Sequence, residues 1–143
     1  PNVLASTASC WPLRFKNSST EGNKTMSDKV LVNCGYEADK TENATVAMIV
    51  ANAAAAAENE TVVFLTSDSV KLGIKNGADN MNAEGHEPLV NYISAFVENG
   101  GQLWVCPACA GTRGITEDDL IEGALWRGAM PVIDFAKQAT NVF

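Results

Sequence analysis

From Lys29 onward the chain alternates short apolar runs with stretches of helical period, and few architectures accept that order. The runs KVLVNC (29–34), TVVFLT (61–66) and QLWVC (102–106) are each followed closely by Gly, Ser or Pro, as buried strands are. ALWRGA (124–129) reads as a fourth strand and residues 141–143 as the stub of a fifth. Helical spacing fills the gaps between them. Strands that alternate with helices across short turns predict an α/β fold whose parallel sheet is covered on both faces.

The helices have legible starts. Asp39 and Glu42 stand three apart, as in a capping box, ahead of Val46, Ile49, Val50, Ala53 and Ala57, which share one helical face. The alanines at 53–57 favour helix and let it lie close on a sheet. Ser67, Asp68 and Ser69 are candidate caps for a short helix reaching Ile74, and residues 75–87 read as a mobile loop. Pro88 opens a helix with Leu89, Tyr92, Ile93, Phe96 and Val97 on one face, stopped by Asn99, Gly100 and Gly101. Residues 107–113 leave room for about two turns before Gly114. Thr116 and Asp119 form a second capping box that should begin another helix, and residues 130–139 should form the last one, with Pro131 in its first turn.

The chain has 143 residues, 46% hydrophobic and 19% charged, which suits one globular domain with one core. Its longest apolar stretches, 46–57 and 103–110, are too short and interrupted to cross a bilayer, so a soluble protein is expected. Ten Lys and Arg against seventeen Asp and Glu give a net charge of −7, which disfavours a nucleic-acid partner. That charge is uneven. Arg14, Lys16 and Lys24 against Glu21 leave residues 1–25 at +2, so residues 26–143 carry −9. Residues 1–28 are rich in Ser, Thr, Asn and Lys without any period, and read as an N-terminal extension, disordered or loosely packed. Met26 is then the natural start of a globular unit spanning 29–143. The extension carries no secretory or lipidation pattern, so a cytoplasmic location is expected.

Ligands of open parallel sheets sit beyond the carboxyl ends of the strands. Cys34 closes the first strand, Ser67 and Asp68 follow the second, and Cys106 closes the third, all at one edge if the strands are parallel. Cys106 has the strongest case, because Pro107 suits a first helical turn and puts the thiol at or beside the N-cap, where free N–H groups favour an anion. The thiolate is the reactive form of cysteine. Cys109, one turn on, either resolves a disulfide or persulfide at Cys106 or packs as a small apolar residue. Zinc would need two more ligands, from Cys34, the acids or the single histidine, His86, so no metal is expected. His86 is either solvated or an acid or base swung over the cysteine edge. Six residues separate Cys106 from Arg113, one too many for a phosphatase loop. Arg113 lies about 10 Å from Cys106 if the helix continues, and reads as a helix-end cation or a subunit-interface ion pair. A thioredoxin-like role is disfavoured because C-x-x-C follows the third strand rather than an early one.

The stretch LWVCPACAGTRGITEDDL (103–120) resembles a segment of the DsrE/DsrF-like (TusD-like) sulfur-relay family, in which a strand ends in cysteine and small residues lead to Arg-Gly-Ile or Arg-Gly-Val. Cys106, Ala110, Arg113 and Gly114 match it, and the order of elements is similar over roughly 29–143. The resemblance implies a three-layer, flavodoxin-like or Rossmann-like fold with a five-stranded parallel sheet, and a homo-oligomer, commonly a trimer or hexamer. It implies a sulfur carrier or sulfurtransferase-like protein in which Cys106 takes a persulfide sulfur from a donor protein and hands it to an acceptor protein, with no cofactor. Cys109 stands where this pattern usually has Ala, which leaves room for a C-x-x-C dithiol redox protein. A third reading of the same crevice is a non-enzymatic module that binds a small ligand or a protein.

Overall fold

The computed structural model describes residues 28–36 and 40–143. Most of the N-terminal extension, with Cys10 and Met26, and the expected helix cap Asp39 lie outside the described residues. The elements run β1 (Lys29–Cys34), α1 (Thr41–Ala56), β2 (Glu60–Leu65), a 3-10 helix (Ser67–Gly73), α2 (Leu89–Glu98), β3 (Gln102–Val105), α3 (Pro107–Gly111), a 3-10 turn (Glu117–Asp119), β4 (Ala124–Trp126), α4 (Ala129–Ala136) and β5 (Ala139–Val142). The strands form one sheet in the order β4-β3-β2-β1-β5, and every pairing is parallel. The expected five-stranded parallel α/β fold is therefore present.

Side chains alternate across this sheet with the strand period of two. Val32, Cys34, Val63, Leu65, Leu103 and Val105 are buried on one face, in the core that also takes α1, α2 and α3. Leu31, Val62 and Trp104 are buried on the other face, against Val132 and Phe135 of α4. The strand order accounts for this division. From β1 to β4 each crossover steps the same way along the sheet, whereas the connection from β4 to β5 returns across it. A right-handed crossover that reverses direction must pass over the opposite face, so α4 lies there alone among the described helices.

Helix α1 packs differently from the expected face. Ala44, Thr45, Ala47, Met48, Ala51 and Ala55 are buried, whereas Val46 is 38% exposed and Ile49, Val50, Ala53 and Ala57 are only half-buried. The buried set has the same spacing, shifted by two residues. Because the helix is apolar around most of its circumference, spacing fits both faces, and the smaller side chains let the axis come nearest to β1 and β2. Lys40 occupies the N-cap without a side-chain hydrogen bond, and Thr45 Oγ1 donates back to the Thr41 carbonyl at 2.8 Å.

The remaining differences have local causes. The segment after β2 is a 3-10 helix that none of its Ser or Asp side chains caps, since its N-cap is Thr66. Residues 75–87 contain no named helix or strand, yet Ala78 and Ala83 are buried and Leu89 N–H donates to the Met81 carbonyl at 2.9 Å. The Thr116–Asp119 capping box is present but begins one 3-10 turn only. Leu120 leaves that turn to bridge Ile74 in antiparallel fashion, and Ile121 N–H reaches the Gly73 carbonyl at 2.9 Å, so extended pairing ends the helix. β4 stops at Trp126 because Gly128 is already the N-cap of α4. Gly101 lies directly under the Phe96 ring, where a Cβ would collide with ring carbons.

Candidate active site

Cys106 follows β3 at φ −70° and ψ 117° and is the N-cap of α3, with Pro107 as first helical residue. Its N–H donates to the Leu65 carbonyl at 3.1 Å and its carbonyl accepts from Ala110 N–H at 3.0 Å, so the backbone is held by the sheet on one side and the helix on the other. Proline has no N–H to waste at this position and its φ is preset for helix, which is why the strand ends abruptly in a helix start. The thiol is half-buried and free. Cys109, also half-buried and free, is three residues along α3, while Ala110 behind it is fully buried.

The place matters as much as the local geometry. α3, which leaves β3, packs on one face of the sheet, and α4, which leaves the neighbouring β4, packs on the other. The carboxyl ends of β3 and β4 therefore flank the topological switch point, where divergent connections open a crevice. Cys106 sits at that point. Strand order decides this, and strand order is not written in the sequence.

Cys34, the other strand-end thiol, lies elsewhere on the same edge. It pairs in register with Leu65, which pairs in turn with Val105, so two strand spacings of about 4.8 Å separate it from β3. It is 1% exposed, and burial pushes its thiol above the ordinary range. Its Sγ lies 3.4 Å from Ser69 Oγ, whose hydroxyl donates to the Tyr36 carbonyl at 2.8 Å. Since that hydroxyl has one proton, the thiol is the donor in the Cys34 contact.

The Arg-Gly-Ile run has a structural explanation in this chain. α3 ends at Gly111, so Arg113 is not one long helix away from Cys106 as its spacing suggests. Gly114 at φ +71° reverses the chain, with Ile115 N–H bonded to the Ala110 carbonyl at 3.0 Å and Gly114 N–H to the Gly111 carbonyl at 3.2 Å. This is the bond pair of a Schellman motif, and Ile115 packs on the core beyond it. Arg113 folds back instead: Nε donates to Asp68 Oδ1 at 2.8 Å and Nη1 to the Cys109 carbonyl at 3.0 Å. The guanidinium thus ties α3 to the 3-10 helix after β2. Arg113 is an intrachain tether, and Asp68, a candidate cap by sequence, is its partner.

His86 does not join the thiols. Its N–H donates to the Ala83 carbonyl at 3.0 Å, its carbonyl accepts from Asn82 Nδ2, and its Nδ1 is buried without a hydrogen-bond partner. Among the described residues, no group of three or more His, Cys, Asp or Glu is placed to hold a metal ion, and no helix is long and apolar enough to cross a membrane. Arg127, by contrast, is a neighbour of Cys106 that sequence spacing does not single out. Trp126 pairs with Val105, so Arg127 stands beside Cys106 at the strand ends. A cation directly after the fourth apolar run, on the same edge as the thiol, is the signal the sequence offers.

A family model for the DsrE/DsrF-like family matches residues 28–143. The chain belongs to the DsrE/DsrF-like family. The match takes in every described strand and helix, Cys106, Cys109 and the Arg-Gly-Ile run included. An uncharacterised protein of Methanopyrus kandleri, MK0008, is 28% identical over 104 residues, covering 71% of this chain and 80% of the relative. Among solved structures, the YchN protein of E. coli superposes with a TM-score of 0.67 at 19% identity, over 82% of this chain and 98% of YchN. MTH1491 of Methanobacterium thermoautotrophicum, a protein of unknown function, gives 0.59 at 16% identity over 81% and 98%. At these identities the two structures support the DsrE-like fold.

Proposed function

We propose that this DsrE/DsrF-like protein is a sulfur carrier that holds a persulfide on Cys106. The observation that carries the reading is the position of this thiol: half-buried, at the N-cap of α3, at the switch point between β3 and β4. In the loading step the Cys106 thiolate attacks the outer sulfur of a donor persulfide. A new S–S bond forms at Cys106, the donor S–S bond breaks, and the donor thiolate leaves with the electron pair, so nothing is oxidised or reduced overall. Delivery to an acceptor thiol repeats the exchange in the other direction. Donor and acceptor are proteins or small thiols in the cytoplasm, and the carrier works as a homo-oligomer.

Cys109 favours a second step at the same site. As it lies one helical turn from Cys106 and is equally half-buried, its thiolate can attack the Cys106 sulfur, forming a disulfide and releasing the outer sulfur as hydrosulfide. The electrons balance without an external oxidant. A dithiol of this kind discharges sulfur where no acceptor binds.

The test is intact-mass measurement after incubation with glutathione persulfide and removal of excess donor. Wild type should gain one sulfur atom, and Cys106→Ser should gain none. Cys109→Ser should hold the adduct longer than wild type. Equal adducts on wild type and Cys106→Ser would overturn the assignment.

A further inference from the structure

Resting on the reading of Cys106 as the sulfur-carrying thiol, we propose that Arg113 is the positioning residue of the resolving step, keeping Cys109 in reach of Cys106 by gripping the Cys109 carbonyl. The thiols occupy the N-cap and third positions of α3, whose side chains are the ones that meet in a capping box. Their separation depends on this first turn staying wound. α3 has only 5 residues, and a helix so short does not hold its own shape.

The shape is supplied from outside. Cys106 is pinned to β2, because its N–H donates to the Leu65 carbonyl at 3.1 Å. Cys109 is pinned to the element that follows β2. In a continuing helix the Arg113 N–H would close on the Cys109 carbonyl, but it turns to the Ala110 carbonyl at 3.0 Å instead. The arginine side chain takes over that carbonyl, with Nη1 donating to it at 3.0 Å while Nε donates to Asp68 Oδ1 at 2.8 Å. Thr112 Oγ1 also donates to the Cys109 carbonyl at 3.0 Å, but from within the same turn, so it anchors nothing outside α3. Asp68 belongs to the 3-10 helix directly beyond β2. Both cysteines are therefore referred to one base, and that base is firm, since Leu65, Val70 and Leu72 are buried in the core. A planar guanidinium spans two acceptors at fixed angles, which a lysine ammonium on its flexible stem does not.

In the step itself the Cys109 thiolate attacks the Cys106 sulfur, the persulfide S–S bond breaks, and hydrosulfide leaves with the electron pair. Arg113 takes neither proton nor electron. It raises the share of time in which the attacking thiolate is aligned.

The first arm of the experiment uses no persulfide. Full-length protein is equilibrated with reduced and oxidised glutathione, which accepts the electrons of the dithiol, and the Cys106–Cys109 disulfide is read by mass spectrometry. Its equilibrium constant should fall about threefold in Arg113→Gln and in Asp68→Ala, as loss of a partly exposed ion pair implies, and Arg113→Lys should recover part of it. The second arm follows the lifetime of the sulfur adduct after loading with glutathione persulfide. Arg113→Gln should lengthen it about threefold, and should change nothing in a Cys109→Ser background. An unchanged glutathione equilibrium overturns the proposal. So does an equal effect of Arg113→Gln with and without Cys109, which marks general loosening. If Cys106 takes no sulfur while the glutathione equilibrium still depends on Arg113, the sulfur-carrier reading fails and Arg113 stands as the positioning residue of a dithiol.

Discussion

Cys34 and Cys106 close two strands of one parallel sheet, at the same edge, and the fold treats them in opposite ways. Cys34 points into the core among Val32, Ala47 and Val70, with its proton directed at Ser69. Cys106 stands where β3 hands over to α3 and is half-buried at the switch point between β3 and β4. Arrival at the strand end is therefore not sufficient for chemistry. A thiol becomes available when the chain turns into a helix at that residue and the neighbouring connection departs to the other face.

Reaction with iodoacetamide should separate the two most widely. Cys106 is expected to react at least about a hundredfold faster than Cys34 at neutral pH, because a core thiol reacts only through local opening. Comparable rates would break the contrast. Next in size is the packing of Cys34. Cys34→Ala should lower unfolding stability by about 1–2 kcal/mol, seen as a shifted denaturation midpoint, whereas Cys106→Ala should cost under about 0.5 kcal/mol.

Gly114→Ala tests the frame behind Cys106. A Cβ at φ +71° should cost about 1 kcal/mol, whereas Arg113→Ala, which breaks a partly exposed ion pair, should cost about 0.5 kcal/mol. Arg113→Ala should still loosen α3 against the 3-10 helix, with faster amide exchange at Ala110 and Gly111 as its readout.

The smallest effect is in pH. Burial raises the Cys34 thiol, so the folded protein retains a proton that the unfolded chain gives up from about pH 8.5. The unfolded state then binds fewer protons, and stability must decline as pH rises through that range. Wild type should lose stability between pH 8 and about 10 by more than Cys34→Ala does. Parallel slopes for the two would remove the distinction between a core thiol and an exposed one.

Neighbours along the chain explain which of these features are legible in the amino-acid sequence. The alternation of strands and helices indicates the parallel sheet, and Cys-Pro after QLWVC marks a thiol at a helix start, because both depend on residues adjacent in sequence. The buried face of α1 is not legible, since a helix of mostly alanine and valine offers no polar side to exclude. The tether from Arg113 to Asp68 and the pairing that sets Arg127 beside Cys106 join residues far apart in the chain. Spacing along one helix cannot reveal contacts that depend on strand order, and the same holds for the switch point itself.

Cys106, of all the thiols, is the one proposed to carry sulfur. Full-length protein loaded with glutathione persulfide, freed of donor and fragmented so that Cys106 separates from Cys109, locates the added sulfur directly in one mass spectrum. The sulfur should be on Cys106 at early times. Sulfur on Cys34, or spread evenly over the thiols, would contradict the account.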